Sequence, residues 1–112
     1  MKINGVELEV NFLDAEFMEK IENHCKKVSE QAEKSKTELK DLTLSQQIKA
    51  ECKIIKDFFD EVCGEGTSEK VFKGKNDLML CLSAFQDLIE AKAKMQQEMN
   101  SLFVKYSPDR LK

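Results

Sequence analysis

A chain of 112 residues has room for one domain and one modest core. Charged side chains make up 35% of it and hydrophobic ones 41%; the first share is above the usual quarter or so, a balance that describes thin helices with solvated faces rather than an enzyme built around a deep pocket. Residues 1–42 carry 7 basic and 10 acidic side chains, 43–74 carry 5 and 6, and 75–112 carry 6 and 5, so no third of the chain offers phosphate backbones a cationic surface and nucleic acid is excluded as a partner.

The first dozen residues alternate, with Ile3, Val6, Leu8, Val10 and Phe12 apolar. Asn4-Gly5 suits both positive-φ positions of a tight turn, which predicts a short hairpin over 1–12. Its first arm runs only from Met1 to Ile3, so it must lie on a helix or pair with another chain. Asp14 then offers a helix cap, with Glu16 in the first turn where the dipole favours a carboxylate. Met18, Ile21, Cys25, Val28, Ala32, Ser35, Leu39 and Leu42 follow at three-four spacing, which predicts a helix over 15–40 whose apolar face thins at Ala32 and Ser35.

Thr43 and Gln46 match a capping box. Ile48, Cys52, Ile55, Phe59 and Val62 form the next stripe, and Ile54 and Phe58 widen it. A helix over 44–63 that is apolar on more than one side belongs in the centre. Gly64 fits the left-handed position that ends a helix. In GEGTSEKVFKGKND, Thr67 or Ser68 can cap a single turn near 68–73 that Gly74 ends, and Asn76 can cap the helix after it.

In that last helix, over 77–106, Leu78, Phe85, Lys92, Met99 and Tyr106 repeat every seven residues, and so do Cys81, Leu88, Met95 and Leu102 between them. At 1.5 Å per residue the helix is ~45 Å long. A compact chain of this size has a radius of gyration near ~13 Å, so part of the helix must project or pack on another chain. Ser107-Pro108 ends it, leaving 107–112 as a tail.

No apolar run approaches the ~18 residues that span a bilayer, and MKINGVELEV has no apolar signal core. The expected compartment is a reducing cytoplasm, with no membrane partner. Cys25, Cys52, Cys63 and Cys81 each fall on an apolar stripe, lack any C-x-x-C spacing, and read as buried, reduced packing residues.

The candidates for chemistry are few. His24 and Cys25 are neighbours, but adjacent helical residues point ~100° apart and cannot pair directly. A structural zinc site needs four ligands at spacings that are missing. Asp57, Asp60 and Glu61 share one helical face, yet Lys53 and Lys56 are close by, and a solvated charged face accounts for them. The glycine loop at 64–74 does not meet the phosphate-loop order, since Gly74-Lys75 is followed by Asn76. The expectation is a protein that is not an enzyme and has no catalytic, cofactor-binding or metal-binding residues. Met95, Met99, Leu102 and Phe103 are different, because methionine-rich helical stripes suit adaptable protein surfaces. They are the expected partner-binding residues, for a protein client or for a second copy in a homo-oligomer.

Taken together, KINGVELEV near the start, IIKDFFDEVCGEGTSEKVFKGKNDL in the middle and KYSPDR near the end resemble a family of small phage and prophage proteins of Gram-positive bacteria. That family is encoded among tail genes and described as tail-assembly-chaperone-like. Cys63 is a modest departure, standing where an aromatic or other apolar residue is expected. The resemblance implies an α-helical protein of the bacterial host cytoplasm that binds the long, hydrophobic tape-measure protein before the tail tube polymerises. It brings no catalytic or ligand residues.

The fold expected is all-α, a single domain over 1–112 forming an elongated three-helix bundle or helical hairpin with a short N-terminal β-hairpin. The leading function is a non-catalytic tail-assembly chaperone that binds a tape-measure-like client. The alternatives are a structural virion or scaffold component and a small helical regulatory interaction protein.

Overall fold

The computed structural model describes residues 1–38 and 40–106. Leu39, the side chains of residues 104–106 (Tyr106 among them), and the tail at 107–112 with its Ser107-Pro108 stop lie outside the described residues. The chain is mostly α-helical: β1 (Lys2–Ile3), β2 (Val6–Glu7), α1 (Ala15–Glu38), α2 (Leu44–Cys63), α3 (Thr67–Phe72) and α4 (Leu78–Tyr106). None of the described helices is long and apolar enough to cross a membrane.

The hairpin pairs Ile3 with Val6 and Lys2 with Glu7 around Asn4-Gly5, whose φ angles of 52° and 80° are both left-handed. It is shorter than the alternation over 1–12 predicts, because β1 ends the supply of partner backbone after two residues. Leu8 to Leu13 leave the sheet as an irregular strap. The alternation survives without the sheet: Ile3, Leu8 and Phe12 are buried. Phe12 meets Phe17 edge to face, with ring centroids 5.8 Å apart.

At Thr43 the predicted capping box is present. Thr43 Oγ1 accepts from the Gln46 amide at 3.2 Å, and Gln46 Oε1 accepts from the Thr43 amide at 3.0 Å. The helix it starts is the central one, with Cys52, Ile55, Phe58, Phe59 and Val62 buried. α1 lies antiparallel to it, since Ser35 meets Glu51 near one end and His24 meets Glu61 near the other. α4 runs parallel to it: Leu78 lines a cleft with Ile48, and Phe85 meets Phe58 edge to face further along.

Parallel helices need a return crossover, and α3 supplies it. Gly64 ends α2 with a positive φ of 110°, but its ψ of 149° is extended, not the left-handed turn expected there. Neither Thr67 nor Ser68 caps α3 in the way its sequence predicts. Gly66 occupies the cap position, and Asp60 reaches across from α2 to accept from the Ser68 amide and hydroxyl, both at 2.8 Å. Lys73, with φ 53°, ends the helix one residue before Gly74. Asp77, not Asn76, caps α4 through its Oδ1 to the Leu80 amide at 3.2 Å, while Asn76 accepts from Lys56 Nζ at 2.8 Å.

The molecule measures 64 × 30 × 21 Å with a radius of gyration of 17.0 Å, well above that of a compact chain of this length. By its register with α2, α4 runs past the end of α2 from about Lys92 onward. Met95 to Tyr106 therefore extend beyond the central helix by ~18 Å.

Candidate interaction surface

The residues considered for chemistry are separated by the fold. Asp57 pairs with Lys53 at 3.1 Å, Asp60 holds α3, and Glu61 lies 2.7 Å from His24 Nδ1. Three carboxylates on one helical face thus have three different partners, and Asp60 is a structural cap rather than part of a solvated face. Cys25 is half-buried on α1, and burial pushes its thiol up, with Lys92 opposing the shift and Glu22 adding to it. Among the described residues no group of three or more His, Cys, Asp or Glu side chains is placed to hold a metal.

Cys52 and Cys81 are fully buried and free, and Cys25 and Cys63 are half-buried and free. Burial pushes the Cys63 thiol up to about 11. Burial and then the neighbouring Cys52 push Cys81 up to about 12. Thiols held so far above neutral pH stay protonated there, while Cys25 and Cys63 are less buried than their place on the apolar stripes predicts.

The expected partner-binding residues occupy the end where α4 outruns α2. That end is built from three parts. The start of α1 projects past α2 as well, because His24 already sits beside Glu61, two residues before the end of α2. The strap crosses the same space and reaches α4 near Ala91 and Met95. Where these parts meet, Phe12, Leu13, Met18, Met95 and Met99 line an apolar cleft of about 220 Å³. Met95 packs against the edge of the main core, and Met99 is half-buried.

One turn further along the same stripe, Leu102 is 41% and Phe103 67% exposed. Leu13, on the rim of the cleft, is 54% exposed. The four sequence-predicted residues thus fall into two pairs: Met95 and Met99 form a wall of the cleft, and Leu102 and Phe103 form a knob beyond it. Phe12, Leu13 and Met18 complete the surface. Sequence reasoning missed them as partners of α4 because nothing local links residue 12 to residue 95. Their one signal was that a hairpin too short to stand alone must lie on something.

The opposite end has a second opening. Ala32 and Ser35 of α1, Ile48 and Glu51 of α2 and Leu78 of α4 line a wider cleft of about 610 Å³. It forms where the α1 stripe thins. Ser35 Oγ, 2.6 Å from Glu51 Oε1, spans the two helices at its floor. Leu44 and Met79 are each 72% exposed near this end. Its walls are less apolar than the other cleft's, with Lys36 and Lys40 at the mouth.

A family of unknown function, DUF6673, matches this chain over residues 4–112. No curated protein and no solved structure matches it.

Proposed function

We propose, for a chain that belongs to the DUF6673 family, a non-catalytic role in assembly: it holds an apolar protein client until that client is consumed by polymerisation. The client class is the tape-measure-like protein that the resemblance to phage tail-assembly chaperones implies, met in the host cytoplasm. The observation that supports this reading is the overhang of α4. A helix that continues past its support and presents Leu102 and Phe103 to solvent carries apolar surface that its own fold does not cover.

The choice of residues fits the task. A client made of repeated apolar segments of differing sequence needs a surface that repacks, and thioether side chains repack more readily than branched ones. Met95 and Met99 lie in the cleft wall, where a client side chain would displace the present packing, and Leu102 and Phe103 extend the contact along the helix.

Co-expression with a tape-measure-like protein tests this. The expected result is a soluble complex with the full chain that is lost with Leu102→Asp plus Phe103→Asp, while circular dichroism stays native. The chain should also be absent from finished particles by mass spectrometry. Its presence there at structural stoichiometry would replace the chaperone reading with that of a virion component.

A further inference from the structure

The strap from Leu8 to Leu13 rests on α4 by side chains alone. Its hydrogen bonds stop at its two ends. At one end the Leu8 amide donates to the Met1 carbonyl at 2.7 Å; at the other the Leu13 and Asp14 amides donate to Asn11, both at 3.1 Å. Among the described residues the amides of residues 9–12 have no protein acceptor, and no hydrogen bond joins the strap to α4. What holds the strap down is the burial of Leu8 and Phe12, each 7% exposed, with Val10 half-buried between them. Segments with few buried contacts and solvent-facing backbone open while the rest of a protein stays folded.

The strap also divides a groove. On one side lies the cleft of about 220 Å³ that Met18 and Met99 line; on the other a cleft of about 380 Å³ opens beside Val10, Ala91 and Lys94. Phe12, Leu13 and Met95 line both. Phe12 and Leu13, set against Met95, are therefore the partition between two halves of one groove along α4. We propose that the strap is a gate: Val10 to Leu13 lift off α4 between fixed ends, and the two clefts join into a single groove from Ala91 to Met99.

Both ends are anchored. Ile3 is fully buried and fixes the hairpin, and Leu8 stays with it through its bond to Met1. At the other end the Asp14 carbonyl accepts from the Met18 amide at 2.9 Å, which ties it to α1. Opening thus withdraws Val10 and Phe12 alone, and breaks the edge-to-face contact of Phe12 with Phe17. In the closed state Phe12 holds the place beside Met95 that an apolar side chain of a client would take, so the gate is autoinhibitory. That role rests on reading the α4 end as the client surface; the opening itself does not. Anything bound in the joined groove has its affinity lowered by the fraction of molecules in which the gate is open.

Two measurements on the full chain test the gate without a client. The chain contains no tryptophan, so Phe12→Trp supplies a single reporter next to clefts with room for the larger ring. In a urea titration its emission should shift before the helices melt by circular dichroism. Coincident transitions overturn the gate, because the strap then opens only with the whole fold. The second measurement is binding of the apolar dye anilinonaphthalene sulfonate. Phe12→Ala should bind it about tenfold more tightly than the wild type, at native helicity, and adding Met95→Glu should return the affinity to the wild-type level. Unchanged dye affinity at native helicity overturns the joined groove; if Phe12→Ala loses its helicity, the tryptophan reporter decides. Co-expression with a tape-measure-like protein then separates the two readings. Capture by the wild type that Phe12→Ala does not improve removes the autoinhibition and leaves the assembly role standing. A gate that opens in a chain capturing no client leaves the gate standing and removes that role.

Discussion

The middle of this molecule and its α4 end are built from the same helices but hold together in different ways. In the middle, Phe72, Phe59, Phe58 and Phe85 form a continuous edge-to-face chain across α3, α2 and α4, with centroids 5.6, 5.6 and 5.0 Å apart. Such rings have few rotamers and preferred angles, so each fixes its neighbours' positions and adds ~0.5–1.5 kcal/mol beyond its area. At the α4 end the same task falls to Met18, Met95 and Met99, which are half-buried and have flexible stems. One region specifies a single packing and the other tolerates several. Where a small protein binds others, apolar residues that do not specify their own packing are the ones to look for.

The comparison predicts a gradient of mutational cost. Phe59→Ala should have the largest effect, because it removes a fully buried ring that touches two others: a loss of ~3–5 kcal/mol, read as the shift in urea midpoint. A loss below about 1 kcal/mol would mean that the aromatic chain is not the specified region.

Alkaline pH attacks the middle of the molecule through its thiols. Cys63 and Cys81 ionise near 9.0 when unfolded, against about 11 and about 12 when folded. Above pH 9 the unfolded chain has released protons that the native chain still holds. Stability is therefore fully present below pH 9 and falls as the pH rises toward 12. Urea midpoints measured at about pH 8 and pH 10.5 should show the drop; equal midpoints would place water at these thiols.

Gly64→Ala should cost ~1 kcal/mol, since a Cβ there meets no atom within 4 Å and the penalty is that of the positive φ alone. At the far end, Leu102→Asp should change monomer stability by no more than ~0.5 kcal/mol, as for an ordinary surface position. A large loss there would erase the contrast, because it would make the tip part of the core.

The sequence is a good guide to this fold wherever a signal is local. The capping box at Thr43 and the two-sided stripe locate α2 to the residue, and the heptads place α4 within one residue of its start. Errors arise where neighbours compete or the partner is remote. Asn76 and Asp77 are both good caps, and only the three-dimensional path of the loop decides which one Lys56 engages. The alternation from Val6 to Phe12 is a strand pattern, but a strand needs a partner, and the first arm has too little backbone to provide one. For the surface, the heptad seam marks Met95, Met99, Leu102 and Phe103. The strap that covers the first two is invisible, because its contact with α4 spans most of the chain.

That strap has a consequence for the order in which the protein takes shape during synthesis. Ile3, Leu8 and Phe12 are among the first residues made, yet they share a core with Leu88, and Ala91 and Met95 pack against it. At 5–20 residues per second, the strap waits roughly 4–16 s for the segment it will rest on. Until then its apolar side chains have no site in the native fold, while α1 and α2 can already pair. The end of the molecule that we propose receives other proteins is thus also the last part of it to close.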